Sequence, residues 1–137
     1  MQRLFADTFY WIALLYRRDP WHDRVSAFST TLLDDDIVFT TDAVFTELLA
    51  ALSAVGPYLR QEVVRLGEGL LDDANVHVVE GTRALFLEGL ALYRARPDKA
   101  YSLTDCLSMH VMRREGLTHV LTNDRHFTQE GFHILFE

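Results

Sequence analysis

The sequence predicts an α/β fold built on a parallel sheet, and three observations carry that prediction. Short apolar runs alternate with longer helical patterns along the chain, as successive βαβ units do. The length of 137 residues suits one domain, which buries roughly 65–70% of its unfolded surface. Acidic residues follow the apolar runs at the predicted strand ends, where open α/β sheets bind ligands. Residues 1–137 are accordingly read as a single domain.

Each element follows from local chemistry. Arg3–Ala6 reads as the first strand, ending at Asp7. Thr8 to about Arg18 is a helix that is apolar on all sides, as a buried helix is. Pro20 suits the first turn of a second helix running to about Leu33. The trio Asp34–Asp36 reads as a solvated loop and Ile37–Thr40 as the second strand. Asp42 is the expected N-cap of a helix that contains Glu47. Gly56-Pro57 separates it from a helix over about Tyr58–Leu71. Val76–Val79 is the third strand, followed by a helix near Thr82–Ala95 and a loop over Arg96–Tyr101. Ser102 starts a helix that Gly116 ends from a C-cap position. Thr118–Leu121 is the fourth strand, Asp124–Gln129 a helical turn, and His133–Phe136 the last strand.

Composition narrows the function. Hydrophobic residues make up 49% of the chain, too many for a disordered protein. One cysteine, Cys106, forms no internal disulfide, so nothing points to an oxidising compartment. The apolar run Phe9–Tyr16 is too short to span a bilayer and follows an acid, so no membrane association and a cytoplasmic location are expected. The formal charge of −7 disfavours tight non-specific nucleic-acid binding. Two bound divalent cations would cut it to −3, and the cations of the chain are arginines apart from Lys99. Arginine suits bidentate phosphate contact.

Four acids stand out: Asp7, Glu47, Asp105 and Asp124. Each has a structural explanation. Asp7 and Asp124 can cap helices, for about 1 kcal/mol each, and Ser102-Leu103-Thr104-Asp105 matches a capping box. Glu47 can be an ordinary helical glutamate. Yet its helical neighbours are Ala43, Val44, Ala50 and Ala51, with no cation at a helical spacing. A partly buried carboxylate of that kind needs a partner. In a parallel sheet, moreover, all four acids share the carboxyl edge. Carboxylates converging there without a Cys/His set suit Mg2+ or Mn2+. Two such ions can clamp the attacking and leaving oxygens of a phosphodiester.

Four segments, RLFADTFYWIALL, TTDAVFTELLAAL, YSLTDCLSMHVMRREG and THVLTNDRHFTQEGFHIL, resemble the PIN domain family, in particular VapC-type toxin ribonucleases. The resemblance runs end to end, in the expected order and spacing. It implies a three-layer α/β/α fold with a mostly parallel central sheet and a Mg2+- or Mn2+-dependent endoribonuclease site. It also implies the toxin half of a type II toxin–antitoxin pair, with an antitoxin protein partner, an RNA substrate and a homodimer. Asp7, Glu47, Asp105 and Asp124 match the family's acids in order, the first and third being the firmest metal ligands. Thr8 and Thr122 match small hydroxyl positions that support the site, while Asn123 matches no fixed role.

Other residues carry weaker signals. Arg125 and His126 follow the fourth acid and are candidates for substrate phosphate contact, or a surface charge and a packed ring. Arg17, Arg18, Arg113 and Arg114 sit near helix C-termini, where cations suit the macrodipole. Phe9, Tyr10 and Trp11 read as core or dimer interface more readily than as base-stacking platforms. The histidines, including the Cys106/His110 pair, lack zinc-site spacing, and no Walker or GxGxxG motif is present. A phosphoacceptor receiver would pair acids at the first strand and place a lysine near the last; an aspartyl phosphatase would need Asp at position 9, which is Phe. The alternative that remains is a non-catalytic PIN-like module binding RNA or protein.

Overall fold

A computed structural model describes all 137 residues. Its first strand, β1 (Arg3–Ala6), is followed by helices α1 (Thr8–Leu15) and α2 (His22–Ser29). Then come β2 (Ile37–Thr41), α3 (Asp42–Leu52), α4 (Pro57–Asp72) and β3 (Val76–Val79). The chain continues through α5 (Arg83–Ala95), α6 (Leu103–Arg114), β4 (His119–Leu121), α7 (His126–Gln129) and β5 (His133–Ile134). All pairings are parallel, in the order β3-β2-β1-β4-β5. Helices cover both faces, giving a three-layer α/β/α fold with a fully parallel sheet. The central strand is buried on both sides: Leu4, Phe5 and Ala6 are each no more than 3% exposed. This is why it reads as a continuous apolar run rather than an alternating one.

Helix packing is set by small residues at two crossings. A Cβ on Gly89 in α5 would stand 2.5 Å from Leu107 Cδ2 in α6, so any larger residue there would force the leucine side chain to shift. Gly67 plays the same part in α4 beneath the Phe45 ring of α3. Tyr10 and Trp11 belong to the core, and Trp11 Nε1 donates to Thr40 Oγ1 at 3.3 Å.

Several local expectations change. Thr41, not Asp42, caps α3: its hydroxyl accepts from Val44 N at 3.1 Å. Asp42 is instead the first helical residue, and its carboxylate accepts from Gly81 N at 2.8 Å, tying α3 to the segment after β3. The second helix is shorter than Pro20–Leu33. Asp19 Oδ1 accepts from Trp21 N in a turn before it, and the hydroxyls of Ser29, Thr30 and Thr31 bond back three residues at its end. Such local bonds compete with helix continuation. Asp36 is not solvated: it is buried and accepts from Gln2 N at 2.7 Å and Leu33 N at 2.8 Å. Those bonds hold its carboxyl below the usual range. The last strand ends at Ile134, although Leu135 and Phe136 still donate to Val120 and Thr122 carbonyls.

Candidate metal centre

The chain moves outward from β1 through β2 to β3, whereas β4 and β5 lie on the other side of β1. Such a reversal opens a crevice at the carboxyl ends of the two strands flanking it. Asp7 follows β1, Thr122 follows β4, and they meet there: Thr122 Oγ1 donates to Asp7 Oδ2 at 2.8 Å. Asp7 precedes α1 but makes no capping bond with its side chain, so capping does not explain it. Its carboxyl is 6% exposed and pushed up from 3.8 to about 7. Burial is the main cause; the Thr122 hydrogen bond opposes it, and the charges of Asp105 and Glu47 add to it.

Asp105 does fill its structural role. Ser102 Oγ accepts from Asp105 N, and Asp105 Oδ2 accepts from Ser102 N, both at 3.0 Å, closing the capping box that begins α6. The same carboxylate is also drawn into the crevice. Burial raises its pKa, as does the charge of Asp124, against hydrogen bonds from Ser102. The capping bond therefore aims the acid rather than explaining it away.

Asp124 caps nothing in the strict sense, since α7 starts at His126 with Arg125 at the N-cap. Its Oδ1 accepts from His126 N at 2.9 Å, and its own N–H donates to Thr122 Oγ1 at 3.2 Å. Thr122 thus links the first and fourth acids through one hydroxyl. Ligand atoms of Asp105, Asp124 and His126 lie within 4.8 Å of one another. Asp7 and Glu47 stand outside that trio. Glu47 is half-buried, as expected, but Ala50 and Ala51 beside it are exposed. The stripe that seats α3 is Val44, Leu48 and Leu52 instead.

These residues fit a divalent cation. Among the four carboxylates, the charges of Asp105 and Glu47 raise the energy of Asp7 and that of Asp124 raises the energy of Asp105, which a cation relieves. His126 Nδ1 is a buried ring nitrogen with no hydrogen-bond partner, facing two of them. Thr8 Oγ1 is likewise buried without a partner. Arg125 is exposed beside the crevice.

Residues 4–132 match the PIN domain. The chain belongs to the PIN domain family. No curated protein matches it in sequence. Among solved structures, this PIN domain resembles Mycobacterium tuberculosis VapC20, a sarcin–ricin loop cleaving toxin, with a TM-score of 0.83 and 23% identity. That likeness covers 94% of this chain and 95% of the other. VapBC-1 of nontypeable Haemophilus influenzae is similar at TM-score 0.66 and 14% identity, covering 98% and 97%. FitAcB of Neisseria gonorrhoeae gives 0.63 and 15%, covering 97% and 96%. These likenesses describe the fold.

One part of the PIN domain's site was not read from the sequence. Glu130, with a side chain 4% exposed, accepts from Arg96 at 2.9 and 3.2 Å, Arg113 at 2.8 Å and Tyr101 Oη at 3.0 Å. Burial opposes its charge, but these three donors outweigh that and hold its carboxyl down at about 2. Tyr101 in turn packs against the His126 ring, centroids 5.3 Å apart. Arg113, read as a macrodipole cation, is thus part of an ion-pair network around a buried glutamate. Pairs 34 and 17 residues apart leave no periodic trace; the one local hint is Gly131 at φ +88, which fixes the turn after Glu130.

Proposed function

We propose that residues 1–137 form a single PIN domain that works as a Mg2+- or Mn2+-dependent endoribonuclease, the toxin of a type II toxin–antitoxin pair. The observation that carries this reading is Asp7: a carboxyl nearly excluded from water, with Asp105 and Glu47 raising its energy further and no cationic side chain against it. A buried acid so placed wants a cation. Asp7 and Asp105 would be primary ligands, with Glu47 and Asp124 completing the set. A bound divalent ion stabilises charge on the phosphodiester and activates a water nucleophile.

The chain's own groups do the rest. Thr122 fixes Asp7 by donating to Oδ2 and fixes Asp124 by accepting its N–H. Thr8 supplies a second hydroxyl at the same strand end. Ser102 holds Asp105 by its backbone N–H. Arg125 and His126 flank the acids, where they would meet substrate phosphate. Hydrolysis would leave a 5′-phosphate and a 3′-hydroxyl. The likeness to VapC20 and to toxins crystallised with antitoxins, such as VapBC-1, supports an RNA target and a protein antitoxin. Exposed Phe86, Leu87 and Tyr93 on α5 give apolar surface consistent with a homodimer, and no helix is long and apolar enough to cross a membrane. A cytoplasmic site of action follows from an RNA target.

Cleavage of total cellular RNA by the purified chain, with Mg2+, Mn2+ or EDTA and beside Asp105→Asn, tests the proposal. Metal-dependent fragments absent from the variant are the expected result. Identical patterns in every lane would instead favour the non-catalytic binding module.

A further inference from the structure

We propose that His126 is a direct nitrogen ligand of the cation at this acidic crevice, and that it biases the centre towards Mn2+ over Mg2+. The inference rests on the metal reading of the crevice and adds a ligand outside the four acids. His126 Nδ1 lies 3.4 Å from Asp124 Oδ1 and 3.6 Å from Asp105 Oδ2. Both separations exceed an ordinary hydrogen bond of about 2.7–3.2 Å. They suit atoms that share an ion, because two ligands each about 2.1 Å from one cation sit roughly 3.0–3.6 Å apart at angles of about 90–120°. The nitrogen itself is cut off from solvent and has no hydrogen-bond partner, although the ring is 31% exposed. A solvent-shielded nitrogen at this distance from two carboxylates is relieved by a positive charge between them, carried either by a proton on Nδ1 or by a cation that all three atoms share.

The ring is also held in place. His126 N–H donates to Asp124 Oδ1 at 2.9 Å, fixing the backbone beside the fourth acid. Tyr101 packs against the ring at a tilt, and Tyr101 is fastened through its hydroxyl to Glu130, which Arg96 and Arg113 clamp. Outer contacts that orient a ligating histidine in this way are a regular part of metal sites. Mg2+ favours oxygen ligands and retains its waters, whereas imidazole suits transition ions. A nitrogen among carboxylates therefore tilts selection towards Mn2+.

Pulsed electron paramagnetic resonance of the Mn2+-loaded full chain tests this directly, paired with calorimetric titration of Mn2+ and of Mg2+. The wild type is expected to show 14N modulation from one imidazole. His126→Ala should lose it, with Mn2+ affinity falling about tenfold and Mg2+ affinity much less. His126→Asn places an amide oxygen near the Nδ1 position and guards against a folding defect: it should keep the native melting transition, lose the 14N signal, and lose preference for Mn2+. If wild type binds Mn2+ without nitrogen modulation, or His126→Ala weakens both ions equally, the nitrogen ligand is refuted while the metal reading stands. If Mn2+ does not bind the wild type, or binds Asp105→Asn as well as wild type, the metal reading fails and the inference falls with it.

Discussion

Replacing Asp7 by Asn should stabilise the metal-free protein at pH 8. The buried carboxyl is raised from 3.8 to about 7, so at pH 8 it is ionised in both folded and unfolded chains, and folding bears the cost of burying that charge. At about 1.4 kcal/mol per factor of ten, this cost is on the order of 4 kcal/mol. An amide keeps an acceptor for Thr122 but buries its own NH2, returning roughly 1–3 kcal/mol of the gain. The expected net gain is about 2 kcal/mol, or about 6–8 °C in melting temperature for a chain of this size. The sign reverses the usual behaviour of acids. Because the folded state binds the proton more tightly, the Asp7 contribution to wild-type stability is highest below pH 4 and declines as pH rises through about 7. Urea unfolding of both proteins in EDTA, at pH 5 and pH 8, measures it. Asp7→Asn should lead at pH 8 and lose most of that lead at pH 5. Metal at a hundredfold excess over its Kd should add about 2.7 kcal/mol to wild type and far less to the variant. A variant no more stable than wild type at pH 8 in EDTA would refute the account of Asp7.

The remaining predictions concern the groups around it. Thr122→Val removes the donor that lowers the Asp7 carboxyl, so 13C NMR titration should find Asp7 above 7, and unfolding should show a loss of about 1–2 kcal/mol. Glu130→Gln weakens the bonds to Arg96, Arg113 and Tyr101 and should cost about 2 kcal/mol near pH 7. Because the wild-type carboxyl is held at about 2, its contribution is present above 4.5 and lost as pH falls towards 2, so that difference should close in acid. Ser102→Ala removes the hydroxyl that accepts from Asp105 N and should lower stability by about 1 kcal/mol in urea, while metal binding by calorimetry stays close to wild type, since the Ser102 N–H that holds the Asp105 carboxylate remains.

Strand ends and helix starts were legible because they rest on local chemistry. The apolar run Leu4–Ala6 followed by Asp7, the Ser102/Asp105 spacing, and Gly56-Pro57 each state a boundary within a few residues. Asp7 and Asp124 could be placed on one edge for the same reason: in a parallel sheet, position after a strand implies one edge. What local chemistry cannot carry is a partner chosen across the fold. Nothing near Asp36 in sequence announces that Gln2 will donate to it, and nothing near Glu130 announces Arg96. His126 was read as a phosphate contact because it follows Asp124; its nearness to Asp105 depends on α6 and the end of β4 meeting in space. The choice of Thr41 over Asp42 as cap was a contest between adjacent oxygens, decided when Gly81 claimed the aspartate.

The Asp7–Thr122 hydrogen bond closes a loop of 115 residues, and β4, which brings Thr122, pairs directly with β1. Local helices and the β1–β2–β3 half can organise as soon as they are made, but the crevice needs a strand from the far end of the chain. During synthesis, therefore, Asp7 and Glu47 are in place long before Asp124 and His126 exist as neighbours. The acidic edge is therefore complete only once residues 118–126 have been made, later than the half-sheet that carries Asp7 and Glu47.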